Sequence, residues 1–179
     1  VVTSLPGACA LINALIISGQ PTRRFCFEAF LPADKKERKE ILNQLKNETR
    51  TIILYEAPHR LLRTLGELYE ALGNRKMTLC RELTKKHESV VLSTIEDLLQ
   101  YHQENPPKGE CVMIIEGKSM KEIKEESQEE YLKMPLSEHM DLYLKQGYTQ
   151  KDAMKKTAKD RGISKREVYQ QLLELKKEI

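Results

Sequence analysis

Two short stretches concentrate groups that could do chemistry. "YEAPHR", Tyr55–Arg60, follows the apolar run "TIIL", and "RELTKKHE", Arg81–Glu88, follows "KMTLC". Glu56, His59, Glu82 and Lys85 are able to take or hold a proton. Arg60, Lys85 and Lys86 can meet a phosphate. A third stretch, Pro6-Gly7-Ala8-Cys9, is built of small residues before a helix. There a ligand could lie against backbone beside the electropositive helix end. His59 and Arg60 fall in the first turn of a helix, where the dipole disfavours cations. Two uses would account for them. They serve something bound in a cleft, Arg60 with Lys85 or Lys86 meeting a phosphate, or they pair with Glu56, Glu82 or Glu88 to lock the loop.

The elements that must position these residues are legible from periodicity. Val1–Ser4 reads as a strand end or an extended entry, and Pro6-Gly7 as a turn into a helix over Ala8–Ser18 that Gly19 stops. "RFCFEAFL" alternates Phe25, Phe27 and Ala29 on one face. That favours a strand whose aromatics, Phe30 included, pack in a core over one that stacks bases. Asp34 can cap a charged helix reaching about Leu45. "TIILYE" is continuously apolar, as a central strand covered on both faces should be. Pro58 fits the first turn of the next helix, Leu61, Leu62, Leu65, Leu68, Tyr69 and Leu72 form its stripe, and Gly73 ends it. "KMTLCREL" and "SVVLSTI" read as strands with room for an antiparallel pair, Thr94 as the cap of a helix over Ile95–His102, and "GECVMIIEG" as the last strand. Strands alternating with helices predict a three-layer α/β domain over 1–117, with a mixed sheet of about five strands. A charged segment, 118–136, reads as a linker or a solvated helix. A three-helix, helix-turn-helix-like domain over 137–179 would start its helices at Ser137, Thr149 and Ser164. Gly147 and Gly162 mark the breaks, and Ser164 and Glu167 form a capping box.

Tyr55-Glu56 stands at a strand end, where ligands of open α/β sheets gather, and Leu83-Thr84 follows another strand. Composition sets further bounds. Of 179 residues, 40% are hydrophobic and 32% charged, which suits a soluble globular chain. No apolar run is long enough to span a bilayer. Cys9, Cys26, Cys80 and Cys111 form no CxxC pair, which predicts reduced, mostly buried thiols of a cytoplasmic protein and no metal site. The net charge of +3 is concentrated in Ser137–Ile179, where 10 Lys/Arg face 7 Asp/Glu. Lys151, Lys155, Lys156, Lys159, Lys165 and Arg166 read as a solvated face, with polyanion contact as the second use.

"PGACALINAL" resembles the Pro-Gly-x-Ser/Ala-Ala turn of the tetrapyrrole-methylase superfamily. "YEAPHRLLRTL", "RELTKKHE" and "KGECVMIIEG" resemble one branch of it, the bacterial small-subunit ribosomal RNA methyltransferase I enzymes. The resemblance implies S-adenosylmethionine as cofactor and the ribose 2′-oxygen of a cytidine in 16S RNA as methyl acceptor. It implies partners in the small ribosomal subunit, no membrane, and a homodimer. Cofactor contact then falls to Pro6, Gly7, Ala8, Cys9, Tyr55, Glu56, Leu83 and Thr84. RNA contact falls to Arg60, Lys85, Lys86, Lys155, Lys156, Lys165 and Arg166. Glu56, His59, Glu82 and Lys85 remain the candidates for assisting loss of the hydroxyl proton. Family members also carry a glycine-rich N-terminal α/β domain that this sequence does not contain, so the chain is expected to be the second half of such an enzyme. The rival readings are a tetrapyrrole C-methyltransferase of the same fold, or a non-catalytic RNA-binding module.

Overall fold

The computed structural model describes residues 2–4 and 6–175. The chain forms two compact units that divide between Lys118 and Ser119. The first runs α1 (Ala10–Ile17), β1 (Phe25–Phe30), α2 (Lys35–Leu45), β2 (Thr51–Glu56), α3 (Pro58–Leu72), β3 (Lys76–Arg81), β4 (Ser89–Thr94), α4 (Ile95–Glu104) and β5 (Cys111–Ile115). Residues 2–4 form no strand, and Val1 lies outside the described residues.

The five strands make one sheet in the order β1-β2-β5-β3-β4. β1 is parallel to β2, while β5 runs antiparallel to both β2 and β3. β3 and β4 form the antiparallel pair. β2 and β3 therefore point the same way. Glu56 and Arg81, at their carboxyl ends, both lie opposite Cys111, and Arg81 also lies opposite Ser89. One edge of the sheet thus gathers the ends of β2 and β3 and the starts of β4 and β5.

Strand alternation sorts the side chains to two faces. Ile52, Leu54, Met77, Leu79, Met113 and Ile115 pack with Leu42 and Leu45 of α2, Leu61, Leu65 and Leu68 of α3, and Leu98 of α4. Ile53, Cys80, Val112 and Ile114 face the other way, onto Ala14 and Leu15 of α1. Each fully buried aliphatic contributes roughly 1.5–3 kcal/mol of transfer free energy. α3 starts with Pro58 at its first turn and ends at Gly73, whose φ of 76° suits a residue without Cβ. Of its predicted stripe, Leu62 and Tyr69 are exposed, each about 100° around the helix from Leu61 and Leu68. Asp34 caps α2 by accepting from the N–H groups of Lys36 and Glu37 at 3.0 and 2.9 Å, and Thr94 caps α4.

The expected core packing of the β1 aromatics holds only for Phe25. Phe27 and Phe30 are 41% and 54% exposed, and Cys26 takes the buried position on the opposite face. The reason is geometric. β1 is an edge strand, its register shifts between Phe27 and Ala29, and Ala29 has a φ of 53°. The α1 face is covered by a helix of only eight residues.

The second unit contains α5 (Met120–Lys133), α6 (Leu136–Lys145), α7 (Gln150–Arg161) and α8 (Lys165–Leu175). The segment expected as a linker is thus a helix with a complete Ser119/Glu122 capping box. It buries no residue of its own, as a solvated helix would. Ser137 is not a cap: α6 begins after Pro135, placing Ser137 inside the first turn. Thr149 caps α7, and Ser164 and Glu167 form the reciprocal box before α8. Leu136, Met140, Ala153, Ala158 and Val168 make the core. Among the described residues, no helix is long and apolar enough to cross a membrane.

Candidate functional site

The edge of the sheet that collects the strand ends also collects most of the predicted residues. Tyr55 and Glu56 are adjacent, so alternation sends them to opposite faces. Tyr55 lies on the α1 side. Its hydroxyl accepts from the Leu11 N–H at 3.0 Å, tying the start of α1 to the end of β2. The Cys9 thiol is within hydrogen-bonding reach of that hydroxyl, and burial raises the phenol above its ordinary range. Leu11, Tyr55 and Leu83 join one apolar cluster, and Phe27 and Phe30 set their edges against the Tyr55 ring at 5.0 and 5.7 Å. Cys9, the last residue of the turn, and Leu11 therefore reach Tyr55, and Leu83 packs on the same apolar cluster. α1 begins with no side-chain cap, which leaves its electropositive end to whatever lies against that turn.

Glu56 points the other way. It is 1% exposed. It accepts from the Ala57 N–H at 2.9 Å and the Thr64 hydroxyl at 2.6 Å, and pairs with Arg60 at 3.3 Å. Thr64 in turn accepts from Arg38 at 2.6 Å, and Arg38 pairs with Glu67. This network of Arg38, Thr64 and Glu67 was not read from sequence; the spacing of Glu56, Arg60 and Thr64 across a helix start was its only trace. Glu56 is thus a correction among the proton-acceptor candidates, because its carboxylate is enclosed beneath α3 and already engaged. Arg60 also donates to the Leu31 carbonyl at 2.8 Å. Of the two uses open to it, the geometry favours locking the loop. His59 is exposed.

The loop after β3 is held in an unusual shape. Glu82 and Thr84 have φ of 51° and 62°, which costs an L-residue roughly 1–2 kcal/mol each. Glu82 accepts from the Glu110 N–H at 2.9 Å, with its carboxylate where a side chain on Gly109 would stand. That bond and the nearby Lys85 ammonium hold its carboxyl below the usual carboxylate range. Lys85 bridges Glu110 and Glu82 at 3.1 and 3.2 Å, which raises its own pKa. Thr84 donates its N–H to Glu88 at 2.6 Å. Lys85 therefore spends its charge inside the loop, whereas Lys86 is exposed. Strain of this kind, supported by a closed set of hydrogen bonds, marks a loop whose shape is used.

In the second unit, Lys155, Lys165 and Arg166 are exposed, while Lys156 sits over the rings of Tyr148 and Tyr143 at 4.5 and 5.4 Å. Cys26, Cys80 and Cys111 are buried, each with its thiol pushed up to about 11 chiefly by burial, and Cys9 is exposed.

The model of the tetrapyrrole (corrin/porphyrin) methylase family matches residues 2–99, and the chain belongs to that family. It is 44% identical over 168 residues to the ribosomal RNA small subunit methyltransferase I of Bacillus subtilis (strain 168), covering 94% of this chain and 57% of the relative. The protein of the same name from Synechocystis is 42% identical over 175 residues, covering 97% and 61%. The chain thus spans about three fifths of these relatives' length. A solved cobalt precorrin-4 methyltransferase aligns with a TM-score of 0.48 at 17% identity, covering 62% of this chain and 50% of that one.

Proposed function

We propose that the chain is part of an S-adenosylmethionine-dependent methyltransferase acting on the ribose 2′-oxygen of a cytidine in 16S ribosomal RNA. One observation carries the reading: Cys9 and Leu11, at the start of α1, meet Tyr55, and Leu83 packs on the same cluster, in a chain 44% identical to a ribosomal RNA small subunit methyltransferase I. The residues present fit the cofactor. Leu11, Leu83 and the Tyr55 ring offer an apolar wall for an adenine, and the uncapped start of α1 offers N–H groups to a carboxylate. When bound, the cofactor supplies an activated methyl group on a sulfonium.

The work left to the protein is alignment and removal of one proton. Tyr55 fixes the start of α1, and with it the end of the small-residue turn, to the end of β2. The strained Glu82–Thr84 loop fixes the second wall. Glu56 holds α3, and so positions rather than reacts. Of the candidates for the proton, His59 is exposed, whereas Glu82 and Lys85 are spent on each other and on Glu110. Lys86, Lys155, Lys165 and Arg166 are exposed cations suited to RNA phosphates. Exposed Ile12, Ile16 and Ile17 on α1 support a homodimer.

The test uses the longest natural polypeptide containing this chain. Methyl-tritiated S-adenosylmethionine is supplied with 30S particles, and the 16S RNA is digested and mapped by mass. Label on one cytidine ribose is the expected result. Label on a precorrin substrate, or none on RNA, contradicts the proposal.

A further inference from the structure

A cavity lies on the opposite face of the sheet. α4 follows β4 directly at Thr94 and packs against α3. That path leaves a cavity of about 580 Å³ between the outer strands and the helix. It is lined by Leu79 and Arg81 of β3, Ser89, Val91 and Ser93 of β4, and Asp97, Tyr101 and His102 of α4. Cavities of roughly 300–1,000 Å³ hold small molecules.

The two ends of this cavity differ in charge. At one end is Arg81, in register with Ser89. Its Nε is buried and has no hydrogen-bond partner. Among the described residues, no carboxylate pairs with its guanidinium. The nearest by register, Glu56, is two strands away, about 10 Å, and is already bonded to Ala57 and Thr64. The Arg81 Nε donor is thus unmet, and an anion set against the guanidinium fork would offset its charge. At the other end is Asp97, whose carboxylate accepts from Thr94 at 2.8 Å and Ser93 at 3.3 Å. Ser93 stands four residues along β4 from Ser89, about 13 Å. A plain phosphate would fill one end only. A nucleotide reaches both, with its phosphate on Arg81 and the donor groups of its base or sugar toward Asp97. The 59% exposed Tyr101 ring forms a wall on which that base could stack.

We propose that the cavity between β3, β4 and α4 binds a nucleotide, with Arg81 holding its phosphate. The choice of a nucleotide rests on the RNA reading above; the polarity of the cavity does not. The nucleotide is either one unit of a bound RNA strand or a free mononucleotide.

The experiment follows the Arg81 Nε–H resonance of the 179-residue chain by NMR. The chain is titrated separately with 5′-CMP, inorganic phosphate, cytidine and a short cytidine-containing RNA. A saturable shift with 5′-CMP, at least about tenfold tighter than with phosphate or cytidine alone, is expected. In Arg81→Gln the shifts of the surrounding cavity residues should vanish, while Lys39→Gln, at an exposed position of α2 outside the cavity lining, should bind normally. Arg81→Lys keeps the charge and loses the fork, and should weaken binding about tenfold while preserving the folded spectrum. Tighter binding of the RNA than of 5′-CMP assigns the site to a strand, and the reverse to a free nucleotide; either supports it. No saturable shift with any ligand, or undiminished binding in Arg81→Gln, overturns it. Methyl transfer to 30S particles is scored separately. Nucleotide binding without transfer sinks the transferase reading and leaves this site standing; transfer without binding does the reverse.

Discussion

Tyr55 and Glu56 show what a neighbouring pair can and cannot share. Both stand where ligands of α/β sheets gather, yet only Tyr55 faces the turn at Pro6–Cys9, while Glu56 is closed under α3 with Arg60, Ala57 and Thr64. Arg60→Ala should therefore destabilise the fold by about 1–3 kcal/mol, because it removes a partner from a buried carboxylate. Urea denaturation measures this. An unchanged midpoint with weakened RNA binding would return Arg60 to the substrate. Ala29 carries a left-handed φ of 53° that glycine adopts freely. Ala29→Gly should be neutral or stabilising by up to about 1 kcal/mol, the relieved strain outweighing the added freedom of the unfolded chain. A loss above about 1 kcal/mol would mean that the Ala29 methyl packs usefully. The acids and bases at the strand ends stand out in the sequence by type, but Glu56, Arg60, Glu82 and Lys85 all prove to hold the loops they stand in. Which face each takes was not legible, since alternation shows a face only once the sheet's neighbours are known.

At the scale of elements, α3 was readable to its last residue because Pro58, the leucines and Gly73 agree. The exposure of Phe27 and Phe30 was not readable, because edge position follows from the strand order. Nor was the start of α6, where Ser137 reads as a cap but Pro135 stands in that place before the helix. His139 illustrates a consequence of packing. It is fully buried, stacked on Tyr131 at 4.2 Å, and its Nδ1 accepts from Arg161 Nε at 3.1 Å. Burial first, and then the Arg161 charge, lower its pKa below 6.5, against a smaller opposing pull from Asp160. The unfolded chain thus binds the proton more readily than the folded one, so its contribution is present above the unfolded value and lost as pH falls below it. The thermal midpoint of the second unit should drop as pH is lowered from about 7 to 5. His139→Gln should flatten that dependence. A midpoint constant over this range would show that His139 charges equally in both states.

The molecule as a whole joins an α/β unit that carries the candidate site to a helical unit that carries exposed cations. If the helical unit contributes RNA affinity, a version ending at Lys118 should bind 30S particles more weakly at low salt and show a shallower salt slope, since fewer counterions are released. Equal slopes for the two versions would leave the helices with another task. On the function proposed above, the cofactor lies on the α1 face, against Cys9, Tyr55 and Leu83. Ultraviolet cross-linking of methyl-tritiated S-adenosylmethionine to the longest natural polypeptide containing the chain, followed by peptide mapping, tests it most directly. Within this chain, label on peptides bearing Cys9, Tyr55 or Leu83, competed away by unlabelled cofactor, is the predicted result. Competable label confined to the opposite face, on peptides bearing Asp97 and Tyr101, would contradict it.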